Sequence, residues 1–154
     1  MASGSRLLAN AVLAFLALPG TVALLVPLLV FRPADGRSFS APGAIPLTIG
    51  LVALLWCVRD FYVAGKGTLA PWAPPQTLVV VGLYSFSRNP IYIAVGLILC
   101  GWALGFRSRP LWVYAVVMML GFHLRVVFGE EPWLARRHGE QWVSYKARVP
   151  RWLF

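Results

Sequence analysis

LWVYAVVMMLGFHLRVVF, Leu111–Phe128, runs directly into Gly129-Glu130-Glu131-Pro132 and then into PWLARRHGEQWVSYKARV, Pro132–Val149. The first part has no acidic residue and approaches the ~20 apolar residues that carry a helix across a bilayer core. Gly129 is placed to end it. The last part changes period: at 100° steps Leu134, His138, Trp142, Tyr145 and Val149 share one stripe, while Arg136, Arg137, Glu140 and Arg148 fall elsewhere. A span followed at once by a basic amphipathic helix predicts a membrane protein. Its last helix, over 132–149, lies on the membrane or packs against the mouth of a bundle.

The upstream sequence supplies more spans. Leu7–Phe31 is interrupted only by Asn10, Pro19, Gly20, Thr21 and Pro27, which predicts a kinked transmembrane helix over 7–31. Arg6 with the apolar stretch after it also fits a signal peptide, but the run continues past a signal's usual length and offers no small-residue cleavage site. A second span covers 45–63, with Pro46 in its first turn and Arg59 and Asp60 near its end. A third covers 90–106, opened by Asn89 as cap and Pro90 in the first helical position. Gly96, Gly101 and Gly105 along it allow close helix approach. The fourth covers 111–128. Between the second and third, residues 65–89 form a cytosolic loop, because Leu78–Leu83 is too short to cross and Pro71, Pro74 and Pro75 forbid a regular helix. The expected fold is an all-α integral membrane protein, a single domain over 1–154, with four transmembrane helices and a C-terminal amphipathic interfacial helix.

Composition agrees. Of 154 residues, 59% are hydrophobic and 12% charged, and mean hydropathy is +0.72. That leaves too little polar surface for an ordinary soluble globule. The net charge of +9 would suggest nucleic acid in a soluble domain. Here the cations flank apolar runs, where anionic lipid head groups are the natural counterions and nucleic acid is not expected. Cys57, Cys100, His123 and His138 show no ligand-like spacing, so no metal is expected.

Orientation follows the basic residues. With the N-terminus inside, ten Lys/Arg fall on one side (Arg6, Arg59, Lys66, Arg88, Arg125 and the five from Arg136 to Arg151), against Arg32, Arg37, Arg107 and Arg109 on the other. This bias puts both termini in the cytosol, and the expected location is a bacterial inner membrane. The span centres carry almost nothing ionisable, which speaks against a proton-coupled transporter. Polar chemistry gathers instead at the cytosolic edge, in Gly82–Tyr92 and in the Glu130-Glu131 pair.

Asn89-Pro90-Ile91-Tyr92, then Glu130-Glu131-Pro132-Trp133-Leu134 about forty residues later, then His138-Gly139-x-x-Trp142-x-x-Tyr145, resembles the membrane methyltransferases that include isoprenylcysteine carboxyl and phosphatidylethanolamine N-methyltransferases. The likeness covers roughly residues 63–154. It implies binding of S-adenosylmethionine by Arg88, Asn89, Pro90 and Tyr92, by Glu130 and Glu131, and by an upstream Gly-x-Gly element matched by Gly65-Lys66-Gly67-Thr68. Asn89 stands where the carboxyl methyltransferases usually have His, which turns the expectation from a prenylcysteine toward a phospholipid amine or another hydrophobic acceptor.

Residue chemistry suits such a cofactor. Glu130 and Glu131 match its ammonium or ribose diol, a backbone turn over Tyr84, Ser85 and Phe86 its adenine edge, and Arg125 or Arg88 its carboxylate. Transfer of the methyl group needs alignment more than acid or base strength. For an acceptor that arrives protonated, Glu131 or a water near it is the expected proton acceptor. The expected function is an S-adenosylmethionine-dependent methyltransferase that turns cofactor into S-adenosylhomocysteine and methylates a lipid-like acceptor at the cytosolic face, with membrane lipids as partners. A non-enzymatic tetraspan scaffold is the alternative, and it would use Asn89 and the Glu pair only as helix caps.

Overall fold

The computed structural model describes residues 16–30, 38–66 and 75–153, so the outer parts of the first expected span, and Gly67 and Thr68, lie outside the described residues. Those described are helical or irregular, with no strand among them. Helix α1 is π-helical over Leu16–Leu25 and α-helical over Val26–Val30. Helix α2 is Ala41–Val63, α3 is Pro90–Gly105 and α4 is Arg109–Arg125; a π-helical turn, Val126–Glu130, joins α4 to α5, Glu131–Arg148.

Two stretches are long and apolar enough to cross a membrane, α2 and the continuous helix Arg109–Arg148 that contains α4. The sequence led us to expect four. Helix α3 is apolar, but its sixteen residues span only about 24 Å at the helical rise, short of a ~30 Å hydrocarbon core. The described apolar part of α1, Pro19–Leu29, is shorter still. The chain faces its surroundings as lipid-embedded helices do: along α4, Val113, Val116, Val117, Leu120 and Leu124 are all exposed.

The core lies between α2 and α3, where Leu54, Val95, Ile98 and Leu99 are fully or almost fully buried. Glycines let these helices touch. Gly43 meets the backbone of Gly105, and Gly101 sits against Leu47. Gly96 faces Met119 of α4 instead. Ser40 staples the same end, its N–H and hydroxyl donating to the carbonyls of Gly105 and Leu104 at 2.8 and 3.1 Å. Carbonyls opened by the π-helical part of α1 are taken up by neighbours, since Trp102 Nε1 donates to Ala23 O and Tyr114 OH to Val22 O, at 2.9 and 3.1 Å.

Two local expectations are corrected. Gly129 does not end the fourth span; the chain stays helical through it. Pro132 cannot donate, and its ring would press on the carbonyl four residues back. Widening the preceding turn, with Glu131 N–H bonded to Val126 O, accommodates the proline without a break. Asn89 precedes α3 but makes no side-chain cap there. The amphipathic helix expected over 132–149 is present as α5 and kinks at Gly139, where φ is 49° and ψ is −121°.

Candidate functional site

A cavity of about 760 Å³ opens at the end of the bundle where the acidic pair lies. Its floor is the inner stripe of α5, from Trp133 and Leu134 through His138 and Trp142 to Tyr145; the start of α3, the end of α4 and the segment 75–89 wall it. Pro19, Val22, Val95 and Phe122 make its far side apolar. The stripe legible at 100° spacing is therefore the packed face of α5, with Trp142, Tyr145 and Val149 buried together against Leu78.

At the charged end, Glu130 Oε1 accepts two donors, Arg125 Nε at 2.7 Å and the Tyr92 hydroxyl. Tyr92 is held flat against Phe122, with ring centroids 4.6 Å apart. Oε2 of Glu130 has no partner among the described residues. Tyr84, Arg88, Asn89, Tyr92, Arg125 and Glu130 all line the cavity. Six of the residues singled out from sequence thus meet in one place.

Among the described residues, the expected cofactor contacts Gly65, Ser85, Phe86, Pro90 and Glu131 do not line it. Glu131 points into a second assembly, where its Oε1 accepts from Arg88 Nη1 at 2.6 Å and Arg151 Nε at 2.8 Å, and its Oε2 accepts from Arg151 Nη2 at 2.9 Å. Burial alone would push this carboxyl up, but the Arg151 hydrogen bonds and the nearby Arg88 charge bring it below the ordinary carboxylate value. Arg88 also donates from Nε to Val149 O at 3.0 Å and from its backbone to Pro150 O at 2.9 Å. Asn89 Nδ2 and Ser87 Oγ both reach Arg151 O, at 3.0 and 3.2 Å. This knot ties the C-terminal segment 149–151 across the start of α3.

Gly65 is a seal in the loop: its N–H donates to Asp60 O at 3.2 Å and its carbonyl accepts from Gln76 N at 2.8 Å. Pro90 is buried at the first turn of α3. Ser85 spends its hydroxyl on Gly82 O at 2.6 Å, and Phe86 is 73% exposed. The Tyr84 carbonyl is occupied by the Tyr145 hydroxyl at 2.7 Å, whereas the Tyr84 hydroxyl is buried beside the Cys57 thiol. Burial raises both phenols, Tyr145 to about 12 and Tyr84 well above its usual range.

The model of the phospholipid methyltransferase family matches residues 41–141, more than half of the chain. The chain belongs to that family. The matched segment runs from the first residue of α2 to the middle of α5 and so contains the Tyr92, Arg125 and Glu130 cluster. With its apolar helices, this makes the chain a membrane methyltransferase. Comparison with curated proteins and with solved structures finds no match.

Sequence reasoning gave no site role to Arg151, Phe122, Trp133 or His138, although the last two stand in the quoted motifs. The periodicity of α5 held the signal for one of these, since His138 lies four residues after Leu134 on the same stripe. Arg151 carried none, because its partner lies twenty residues away across a kink.

Proposed function

We propose that this family member transfers the methyl group of S-adenosylmethionine to a lipid-like acceptor at the cytosolic face of the membrane. One observation carries the proposal: a single cavity joins a partly free carboxylate and two guanidinium groups at one end to an apolar wall at the other. Its size suits a cofactor together with the reacting end of an acceptor, since ligand pockets run from about 300 to 1,000 Å³.

The residues fit the cofactor's charges. Glu130 Oε2 is free for a cationic or diol group, and Arg125 stands beside it for a carboxylate. Trp133 and Trp142 offer flat apolar surface for a base. When bound, S-adenosylmethionine supplies an electrophilic methyl group on a sulfonium. The protein's share is to fix the acceptor's nucleophilic atom in line with it and to keep water out, and such positioning supplies several kcal/mol of a barrier. Within this reading Arg88, Asn89 and Glu131 act by holding the C-terminal segment over the site. Gly65, Pro90, Ser85 and Phe86 shape the backbone around it, with Gly67 and Thr68 next to them in sequence.

Calorimetric titration of detergent-purified protein with S-adenosylmethionine and S-adenosylhomocysteine tests this. Both should bind, and Glu130→Ala should weaken both by about tenfold or more with an unchanged melting temperature. Absence of binding at millimolar cofactor would sink the proposal and leave the scaffold reading.

A further inference from the structure

One titratable group in the cavity has no task in this scheme. His138 is half-buried on the floor, its ring edge-on to Trp133 with centroids 6.4 Å apart. The next residue, Gly139, holds the left-handed conformation that kinks α5. A Cβ at 139 would meet nothing within 4 Å, so glycine serves the backbone there rather than space. The kink directly after His138 makes the ring's placement a property of this turn.

We propose that His138 takes the proton from an acceptor whose nucleophilic atom arrives protonated, an amine foremost; this rests on the methyltransferase reading of the same cavity. The charged and titratable groups sharing the cavity are Tyr84, Arg88, Tyr92, Arg125, Glu130 and Tyr145. Arginines do not accept protons. Tyr84 and Tyr145 stay neutral phenols, held so by burial. The hydroxyl of Tyr92 is spent on Glu130, whose Oε1 is also held by Arg125 and whose Oε2 is, in the proposed scheme, taken by the cofactor's cationic or diol group. Glu131 is clasped by two guanidinium groups outside the cavity, which makes it a poor base. His138 has no hydrogen-bond partner among the described residues, and burial, followed by the neighbouring Arg137 charge, keeps its imidazole below the ordinary histidine value. It is therefore neutral near pH 7, with a lone pair to offer.

The step balances. An ammonium R–NH3⁺ gives one proton to a ring nitrogen of His138, and the lone pair left on nitrogen forms the N–C bond. The methyl's bond to sulfur breaks with its electron pair staying on sulfur, so R–NH2–CH3⁺ and a neutral thioether result. The imidazolium then passes its proton to water.

The test uses full-length protein in detergent micelles with short-chain phosphatidylethanolamine as the amine probe, S-farnesyl-N-acetylcysteine as the carboxylate probe, and labelled S-adenosylmethionine. The amine should be methylated with a kcat/KM that rises with pH to a plateau, and His138→Gln should lower it about 100-fold and flatten the acid limb. S-adenosylhomocysteine affinity and melting temperature should stay at the native level. Native turnover in His138→Gln, or methylation of the carboxylate probe alone, overturns the proposal. A second arm needs no turnover: with ring-labelled histidine, and His123 assigned by the His138→Gln difference, the His138 resonance should titrate and its proton affinity should fall when the ammonium probe is added to the S-adenosylhomocysteine complex. An unmoved resonance overturns the proposal even if neither probe reacts. Failure to bind S-adenosylhomocysteine at all would instead sink the methyltransferase reading beneath it.

Discussion

Arg151 meets Glu131 side-on, Nε to Oε1 at 2.8 Å and Nη2 to Oε2 at 2.9 Å. The same Glu131 Oε1 accepts Arg88 at 2.6 Å. One carboxylate thereby pairs with two guanidinium groups, one of which, Arg88, is 8% exposed. The backbone carbonyl of Arg151 takes Ser87 and Asn89 as well, so the C-terminal segment is fastened by side chain and main chain together.

Removing the two partners should have unequal cost. Glu131→Ala leaves Arg88 buried without a counter-charge, a loss of about 3 kcal/mol. Arg151→Ala removes a partner whose side chain is 33% exposed, and solvent screening reduces its loss to about 1–2 kcal/mol. Thermal melting in detergent should rank native above Arg151→Ala above Glu131→Ala. A Glu131→Ala protein that melts like native yet no longer binds S-adenosylmethionine would make Glu131 a ligand rather than a clasp.

Much of the architecture was open to reading because it depends on composition and period. Apolar runs mark α2 and α4, and the stripe from Leu134 to Val149 marks the packed face of α5. The division of labour between Glu130 and Glu131 was not open in the same way. Adjacent residues on a helix point about 100° apart, so only one of them can face the cavity, and which one depends on helix phase. The π turn over Val126–Glu130 adds a residue and resets that phase for everything after it. Gly129, taken as a terminator, hid the continuity through which the reset acts. Asn89 shows a second limit: its local setting reads as a cap, while its actual partner is Arg151 O, 62 residues away.

Acid should loosen the clasp selectively. The Glu131 carboxyl lies below its ordinary value of 4.5 in the folded protein, so it stabilises the fold above that value. The contribution is lost as pH falls through the lower folded value. Melting temperature followed downward from neutral pH should begin to drop below about pH 4.5 in the native protein, and Glu131→Gln should lack this component. Parallel curves for the two proteins would place the acid sensitivity elsewhere.

The Tyr145 hydroxyl is the one bond from α5 to the carbonyl of Tyr84 among the described residues, at 2.7 Å and buried. Tyr145→Phe keeps the ring in the Trp142 and Val149 cluster and strands that carbonyl, at a cost of about 1–2 kcal/mol. Because Tyr84 lines the cavity, affinity for S-adenosylhomocysteine should fall as well, which isothermal titration would register. Loss of stability with native affinity would separate the turn at Tyr84 from the binding site.

The contact between α2 and α3 rests on absent side chains. A Cβ on Gly43 would strike the backbone of Gly105 and stand 2.5 Å from the carbonyl oxygen of Gly101. Those atoms belong to a helix and cannot swing aside as a flexible side chain would, so the two helices must part at this end, where Ser40 is also bonded to Gly105 and Leu104. Gly43→Ala should therefore destabilise by about 1–3 kcal/mol, the usual range for overpacking. Gly121 provides the contrast: it is helical and exposed, and an added Cβ meets nothing within 4 Å. There alanine removes backbone freedom without a clash, and Gly121→Ala should raise stability by about 0.5–1 kcal/mol. Opposite shifts in melting temperature for the same chemical change would show that close approach, not helix propensity, fixes glycine at position 43; equal shifts would show the reverse.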